Sequence, residues 1–379
     1  MKILMITPSY FPIVGGTERC VENLALKLNE IGVHADVMTF NMDEKYKPVW
    51  REEVEQNGFK LFRVSAFNPF PKLKINPLAM MCGAHVIPRL SFVKRLLGYD
   101  LLHFHDEVDL SFPIFSWFVD RPKIFQCHTL AGTYPRYKRS YFQRAILNNV
   151  GTTYLCVSTA AKKLLSDLGV PESKIQILPN GVDLQRFKPE KAERIANLIL
   201  FVGRIERAKG LHVLLDALNY LDIPVSLKIA GPKQDCAYIE EILGASDKQK
   251  RGIHEIELLG SLDQDNLVKW YRRASIFVNP ALKEEFGIVN LEAASCQTPL
   301  ISSGVGGMTD FVKQGVNGII VPPNDPRKLA NALKYLLENE DLREEYGKNA
   351  RRIVEEHFSW ESVARKAAKI YEQVIRQEK

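Results

Sequence analysis

The 379 residues are 25% charged and 46% hydrophobic, the balance of a folded globular protein long enough for two domains. No apolar stretch reaches the roughly 18 residues a membrane span needs. Six scattered cysteines without a CxxC pair argue against a disulfide framework or a structural zinc site, and fit a reducing cytoplasm. The formal charge is +6, of which +5 falls in residues 1–183.

The chain opens on "KILMIT", which reads as a first strand and not a signal peptide, since it carries one Lys and is soon broken by Pro8 and Pro12. Gly15 and Gly16 follow in "PSYFPIVGGTE", an amide-rich corner suited to an anion. It is not a GxGxxG, and no GxxxxGK[ST] occurs, so dinucleotide and P-loop readings lose their main support. In the next helix Val21, Leu24, Leu28 and Ile31 keep helical spacing, and Gly32 is placed to end it. "ADVMTF", "FKLFRV", "DLLHFH", "KIFQC" and "TYLCVS" are strand candidates. His103 and His105 share a strand face beside Asp106, but a metal site needs more converging ligands than these. His128 ends a strand, where its ring either reaches a cleft or is satisfied within the core.

Two segments of this half lack acids. Residues 56–99 carry Lys60, Arg63, Lys72, Lys74, Arg89, Lys94 and Arg95. Residues 121–166 carry Arg121, Lys123, Arg136, Lys138, Arg139, Arg144, Lys162 and Lys163. They are either solvated faces or the footprint of an anionic partner, a membrane surface or a phosphate-bearing substrate. No nucleic-acid motif accompanies the charge, which disfavours that partner.

Residues 183–197 are polar and aperiodic and form the expected seam. The strand rhythm then restarts with "NLILFVG", "VSLKIAG", "IELLG", "SIFVNP", "PLISS" and "GIIVPP". Strands alternating with helices imply an α/β chain of parallel sheets covered on both faces, here as two doubly wound domains. Ligands of such sheets bind beyond the carboxyl ends of the strands.

Three glycine corners lie there. In "GRIERAKG", Gly203 is followed by Arg204 and Lys209, two cations able to converge on a diphosphate. In "NPALKEEFGIVNLEAASC", the amides of Phe286, Gly287, Ile288 and Val289 open a helix and form an anion site. Glu284 and Glu292 beside them suit sugar hydroxyls better than phosphate, a division that suggests a nucleotide sugar. "SSGVGGMTDFV" is the third corner, a close approach to a ligand or a plain loop. Asp325 and Pro326 start a further helix as N-cap and first residue, and "SWESVARKAAKIYEQVIRQ" is a last amphipathic one.

"GGTERCVENLA", "CVSTAAKKLL", "ILPNGVDLQRF", "GRIERAKG", "LKIAGP", "IELLGSL", "EEFGIVNLEA" and "GVNGIIVPPNDP" occur in colinear order over nearly the whole chain. In this succession the chain resembles the family 4 (group 1) retaining glycosyltransferases of GT-B fold. The resemblance implies two Rossmann-like domains facing each other across a cleft, residues 1–183 binding acceptor and 184–359 binding the nucleotide sugar. A C-terminal helix from about 360 to 379 is expected to pack back on the first domain. Arg204 and Lys209 then stabilise the leaving diphosphate, Glu284 sits near the transferred sugar, and Glu292 holds the ribose hydroxyls. His128 lies beside the reaction centre, and Gly15 and Gly16 belong to a loop closing over the phosphates.

No metal or cofactor is implied. The expected protein is a cytoplasmic hexosyltransferase, peripheral at the membrane face, moving a sugar from a UDP- or GDP-linked donor to a lipid-linked or anionic glycan acceptor. Its rivals are a GT-B sugar-nucleotide hydrolase or epimerase and a non-catalytic binder of anionic glycolipid. Glu285 replaces a Gly common in the family, and Asp310 replaces a common Glu; neither removes a charge the mechanism requires.

Overall fold

A computed structural model describes residues 1–11, 15–41, 53–56, 58–67, 87–89, 92–105, 119–128, 153–190, 194–244 and 248–378. The chain divides into two compact units, Met1–Asn180 with Trp360–Lys379, and Gly181–Ser359.

In the first unit the strands are β1 (Lys2–Ile6), β2 (His34–Phe40), β3 (Glu53–Gln56), β4 (Phe59–Val64), β5 (Ala66–Phe67), β6 (Ile87–Pro88), β7 (Leu101–His105), β8 (Lys123–Cys127), β9 (Thr153–Cys156) and β10 (Ile175–Ile177). Eight of them form one sheet in the order β10-β9-β8-β7-β1-β2-β4-β3, parallel except for β3 at the edge, while β5 and β6 pair as a separate antiparallel ribbon. Alternate residues of β1 supply opposite faces. Leu4 and Ile6 join a core with Phe104, Phe125 and Tyr154, whereas Ile3 and Met5 join one with Val21, Leu24 and Leu28. Both faces are thus buried, which is why these strands read as continuous apolar runs.

Helices α1 (Gly16–Glu30), α2 (Val93–Leu96) and α3 (Thr159–Asp167) belong to this unit. Gly32 follows α1 at φ +83, in the left-handed position that stops a helix.

The second unit holds β11 (Leu198–Val202), β12 (Ser226–Ala230), β13 (Lys248–Arg251), β14 (His254–Gly260), β15 (Ile276–Asn279), β16 (Leu300–Ser302) and β17 (Gly318–Ile320). Their order is β13-β14-β12-β11-β15-β16-β17, parallel apart from β13. The helices are α4 (Leu211–Leu218), α5 (Cys236–Leu243), α6 (Gln264–Arg273), α7 (Ile288–Ser295), α8 (Met308–Phe311), α9 (Pro326–Glu338) and α10 (Glu340–His357). Asp325 caps α9 by accepting the Lys328 amide at 2.9 Å, with Pro326 in the first turn.

The last helix, α11 (Trp360–Gln377), returns to the first unit and packs on α1. Its apolar stripe, from Trp360 and Val363 through Ala367 to Tyr371 and Val374, is buried at helical spacing in the same core as Val21 and Leu24.

Candidate functional site

The second unit gathers its polar groups at the carboxyl ends of β11, β15 and β16. Beyond β11, the Gly203 amide donates to Ala230 O and the Ile205 amide to Pro232 O, both at 2.9 Å, so the loop is fastened to the end of β12. A 3-10 turn, Arg207–Lys209, then ends at Gly210 with φ +70. A Cβ at Gly210 would stand 2.0 Å from Pro280 O, so only glycine lets this turn close on the end of β15. The amides of Leu282 and Lys283 donate to Ala208 O at 2.8 and 3.2 Å, stitching the β15 loop to the β11 loop.

The stitch brings together side chains 75 positions apart. Lys209 Nζ lies 2.8 Å from Glu284 Oε2, with the two side chains 19% and 13% exposed. Arg204 makes a separate pair with Glu206 at 3.0 Å and is half-exposed.

The third corner leans on the second. A Cβ at Gly306, whose φ is +58, would fall 1.7 Å from Glu284 O, and the Gly307 amide donates to Glu285 O at 3.0 Å. Within "SSGVGGMTDFV", Gly306 thus lets backbone meet backbone inside the protein.

Gly287 caps α7, so Ile288 and Val289 stand in the first turn, where helix amides lack intrahelical partners and the dipole favours negative charge. Glu292 lies one turn beyond Ile288 and accepts the Tyr271 hydroxyl at 2.8 Å. Burial first, and that carboxylate second, push the Tyr271 phenol well above its ordinary value. Asn290, 1% exposed, finds no hydrogen bond among the described residues for either side-chain atom, a polar feature that sequence alone does not signal.

The first unit presents a different edge. Gly15 caps α1, and a Cβ there would meet Glu18 Oε2 at 2.6 Å, whereas one at Gly16 would meet nothing within 4 Å. The other oxygen of Glu18 takes the Ser9 hydroxyl, so this helix start already has a carboxylate beside it, also unforeseen. His128, just past β8, is buried with Nε2 3.2 Å from Nδ1 of His105 at the end of β7. The His105 ring lies 4.0 Å from that of His103, whose Nδ1 is 2.8 Å from the Tyr371 hydroxyl of α11.

His128 is therefore both buried and partnered. Burial lowers its pKa to about 4 and that of His103 to about 3, and holds His105 well below the usual histidine value. All three rings are neutral near pH 7. Among the described residues no group of three or more His, Cys, Asp or Glu is arranged to hold a metal ion. No described helix is long and apolar enough to cross a membrane. Of the two acid-free segments, Lys72, Lys74, Arg136, Lys138, Arg139 and Arg144 lie outside the described residues.

Comparison with known proteins matches residues 14–186 to the family "Glycosyltransferase Family 4" and residues 183–353 to "Glycosyl transferases group 1". The chain is 28% identical to O-antigen chain mannosyltransferase C of Escherichia coli over 95% of both chains. It is 27% identical to a D-inositol 3-phosphate glycosyltransferase of Corynebacterium urealyticum, over 98% of this chain and 95% of that one. Among solved structures it resembles Anabaena HepE in complex with UDP-glucose, with TM-score 0.75 and 19% identity over 98% of this chain and 100% of that chain. Sucrose-phosphate synthase from Thermosynechococcus elongatus gives TM-score 0.74 at 21% identity over the whole of both chains. The shared architecture is the GT-B fold of two Rossmann-like domains.

Proposed function

The chain belongs to the group 1 glycosyltransferases of family 4, and from that premise we propose that it is a retaining hexosyltransferase using a UDP- or GDP-linked sugar. The observation that carries this reading is the stitched junction at Ala208, which holds Lys209 against Glu284 at the start of α7.

Breaking the anomeric C–O bond leaves negative charge on the diphosphate while the sugar gains oxocarbenium character. Arg204, Lys209 and the amides of Phe286, Gly287, Ile288 and Val289 are the groups we assign to that charge. Charge stabilisation by donors already in place is commonly the largest catalytic contribution. Glu284 orients Lys209 and faces the transferred sugar, while Glu292, steadied by Tyr271, accepts from the ribose hydroxyls. His128, kept neutral, donates or accepts a hydrogen bond at the sugar without bringing a charge to the oxocarbenium. The acceptor hydroxyl attacks the face the diphosphate leaves, passing its proton to a phosphate oxygen. No metal enters the scheme, since the two cations and the helix start supply the positive charge.

The acceptor, bound by the first unit, is an anionic or lipid-linked glycan reached at the cytoplasmic membrane face. The name of the Escherichia coli relative supports a glycan acceptor, that of the Corynebacterium relative a phosphate-bearing one, and the UDP-glucose complex of the Anabaena protein a UDP-linked donor.

A panel of nucleotide sugars assayed for turnover tests the reading. Arg204→Ala should slow transfer by about 10²- to 10³-fold, the usual effect of losing one donor to a developing anion. Unchanged turnover in that variant would defeat the assignment, and release of free sugar regardless of acceptor would point to a hydrolase.

A further inference from the structure

At the carboxyl end of β4 the chain passes through Ser65 into the β5–β6 ribbon and comes back towards α2. The return is anchored, because the Arg89 amide donates to Ser65 O at 2.9 Å and the Phe92 amide to Arg89 O at 3.2 Å. A cavity of about 320 Å³ opens at this point, and Arg63, Arg89 and Arg95 all line it, with Phe62, Ser65 and Phe92 between them. No carboxylate stands among the described residues of its lining.

Two of the three guanidinium groups are held in position. Arg63 is 8% exposed and donates from Nη2 to Phe11 O at 2.9 Å. Arg95 stacks over the Phe62 ring, its guanidinium carbon 4.1 Å from the centroid. Burial lowers the pKa of Arg63, the mark of a cation with part of its hydration removed. Several planar forks converging on one small space match the oxygens of a phosphate, and forks already fixed lose little further freedom on binding.

The pocket shares the carboxyl edge of the sheet with His128. In the order β8-β7-β1-β2-β4, β4 lies four places from β8. At about 4.8 Å per strand the separation from the end of β8 is roughly 19 Å, room for the body of an acceptor laid along this edge.

We propose that this pocket is a phosphate subsite for the acceptor, taking a phosphate monoester or diester carried by the molecule that receives the sugar. The inference rests on the glycosyltransferase reading given above and narrows its acceptor to phosphorylated compounds.

The full chain, saturated with UDP or GDP so that the anion corner of the second unit is filled, is titrated with glycerol 3-phosphate. A parallel arm uses phosphatidylcholine vesicles with and without phosphatidylglycerol. Binding of the soluble monoester, weakened at least about tenfold in Arg89→Gln/Arg95→Gln, supports the subsite. Binding to anionic vesicles alone, lost in the same variant, supports it too and identifies a lipid headgroup as the phosphate source. Absence of binding in both arms, or binding that the variant keeps, overturns it. Arg89→Gln alone, at an exposed side chain, guards against misfolding of the double variant, and Arg89→Lys/Arg95→Lys should recover part of the affinity by restoring charge without the forks. Failure of the transferase reading shows separately, as no turnover of any nucleotide sugar by the wild-type protein.

Discussion

The two units build their carboxyl edges from the same plan of parallel strands but set different groups at the ends of their inner strands. In the first, three neutral imidazoles, His103, His105 and His128, are buried side by side, and Tyr371 of a distant helix completes the row. In the second, the edge carries ion pairs, Lys209 with Glu284 and Arg204 with Glu206, next to the start of α7. The sheet fixes where loops meet, and the loops decide which neutral or charged groups stand at each meeting place. Chemistry is therefore set by side chains grafted on a shared frame.

Acid should separate the units most strongly. In the unfolded chain His103, His105 and His128 take up protons near pH 6.5, but in the folded chain His128 does so only near 4 and His103 near 3. The unfolded state thus binds more protons as pH falls, and stability drops between about pH 6.5 and 4. Each histidine contributes up to about 1.4 kcal/mol per pH unit. In the second unit the partly buried His212 is also lowered, by burial first and then by Arg207. Its lowered carboxyls, Asp222, Asp263 and Glu344, lose their stabilising effect only as pH falls through the carboxylate range. Hydrogen exchange at pH 5 should show β7 and β8 losing protection ahead of β11 and β12. Equal losses would break the contrast.

A smaller effect is expected from Gly306→Ala. The left-handed backbone costs an L residue about 1–2 kcal/mol, and the new Cβ drives into Glu284 O, for a total of about 2–4 kcal/mol. Nucleotide binding should weaken as the thermal midpoint falls. Gly16→Ala in the first unit, where a Cβ meets no neighbour, should change stability by about 1 kcal/mol or less, in the stabilising direction.

Of the same order is Asp325→Ala, which removes the cap of α9 and should cost about 1 kcal/mol. Ser158→Ala, at the start of α3, removes the acceptor of the Ala161 amide and should cost a similar amount. Matching midpoint shifts in the two variants would show that such local devices are interchangeable between units, unlike the edges.

The elements easiest to find in the sequence were those buried on both faces. "KILMIT" and "NLILFVG" carry unbroken apolar runs at their centres and correspond to β1 and β11. The antiparallel edge strands escaped notice because "EVEQ" and "KQKR" carry no run or alternation of apolar residues. Glycine corners were legible because loops at strand ends have a small vocabulary. What each corner touches was not. Lys209 and Glu284 meet through a backbone stitch at Ala208 that no spacing rule encodes, and the contact of His105 with His128 follows from β7 lying beside β8. Glu18 could have been noticed as an acid in the first turn of α1, but its bond to Ser9 depends on the path of the loop.

The return of α11 to α1 has a consequence for biosynthesis. Residues Gly181–Ser359 leave the ribosome before Trp360 does, so the second unit has its full complement of strands while the first still lacks a wall. Until the final helix emerges, Val21, Leu24 and Leu28 have no cover from Val363, Ala367 and Tyr371. The half translated earliest is the half completed last, and a nascent chain stalled short of its final helix presents a greasy groove to chaperones.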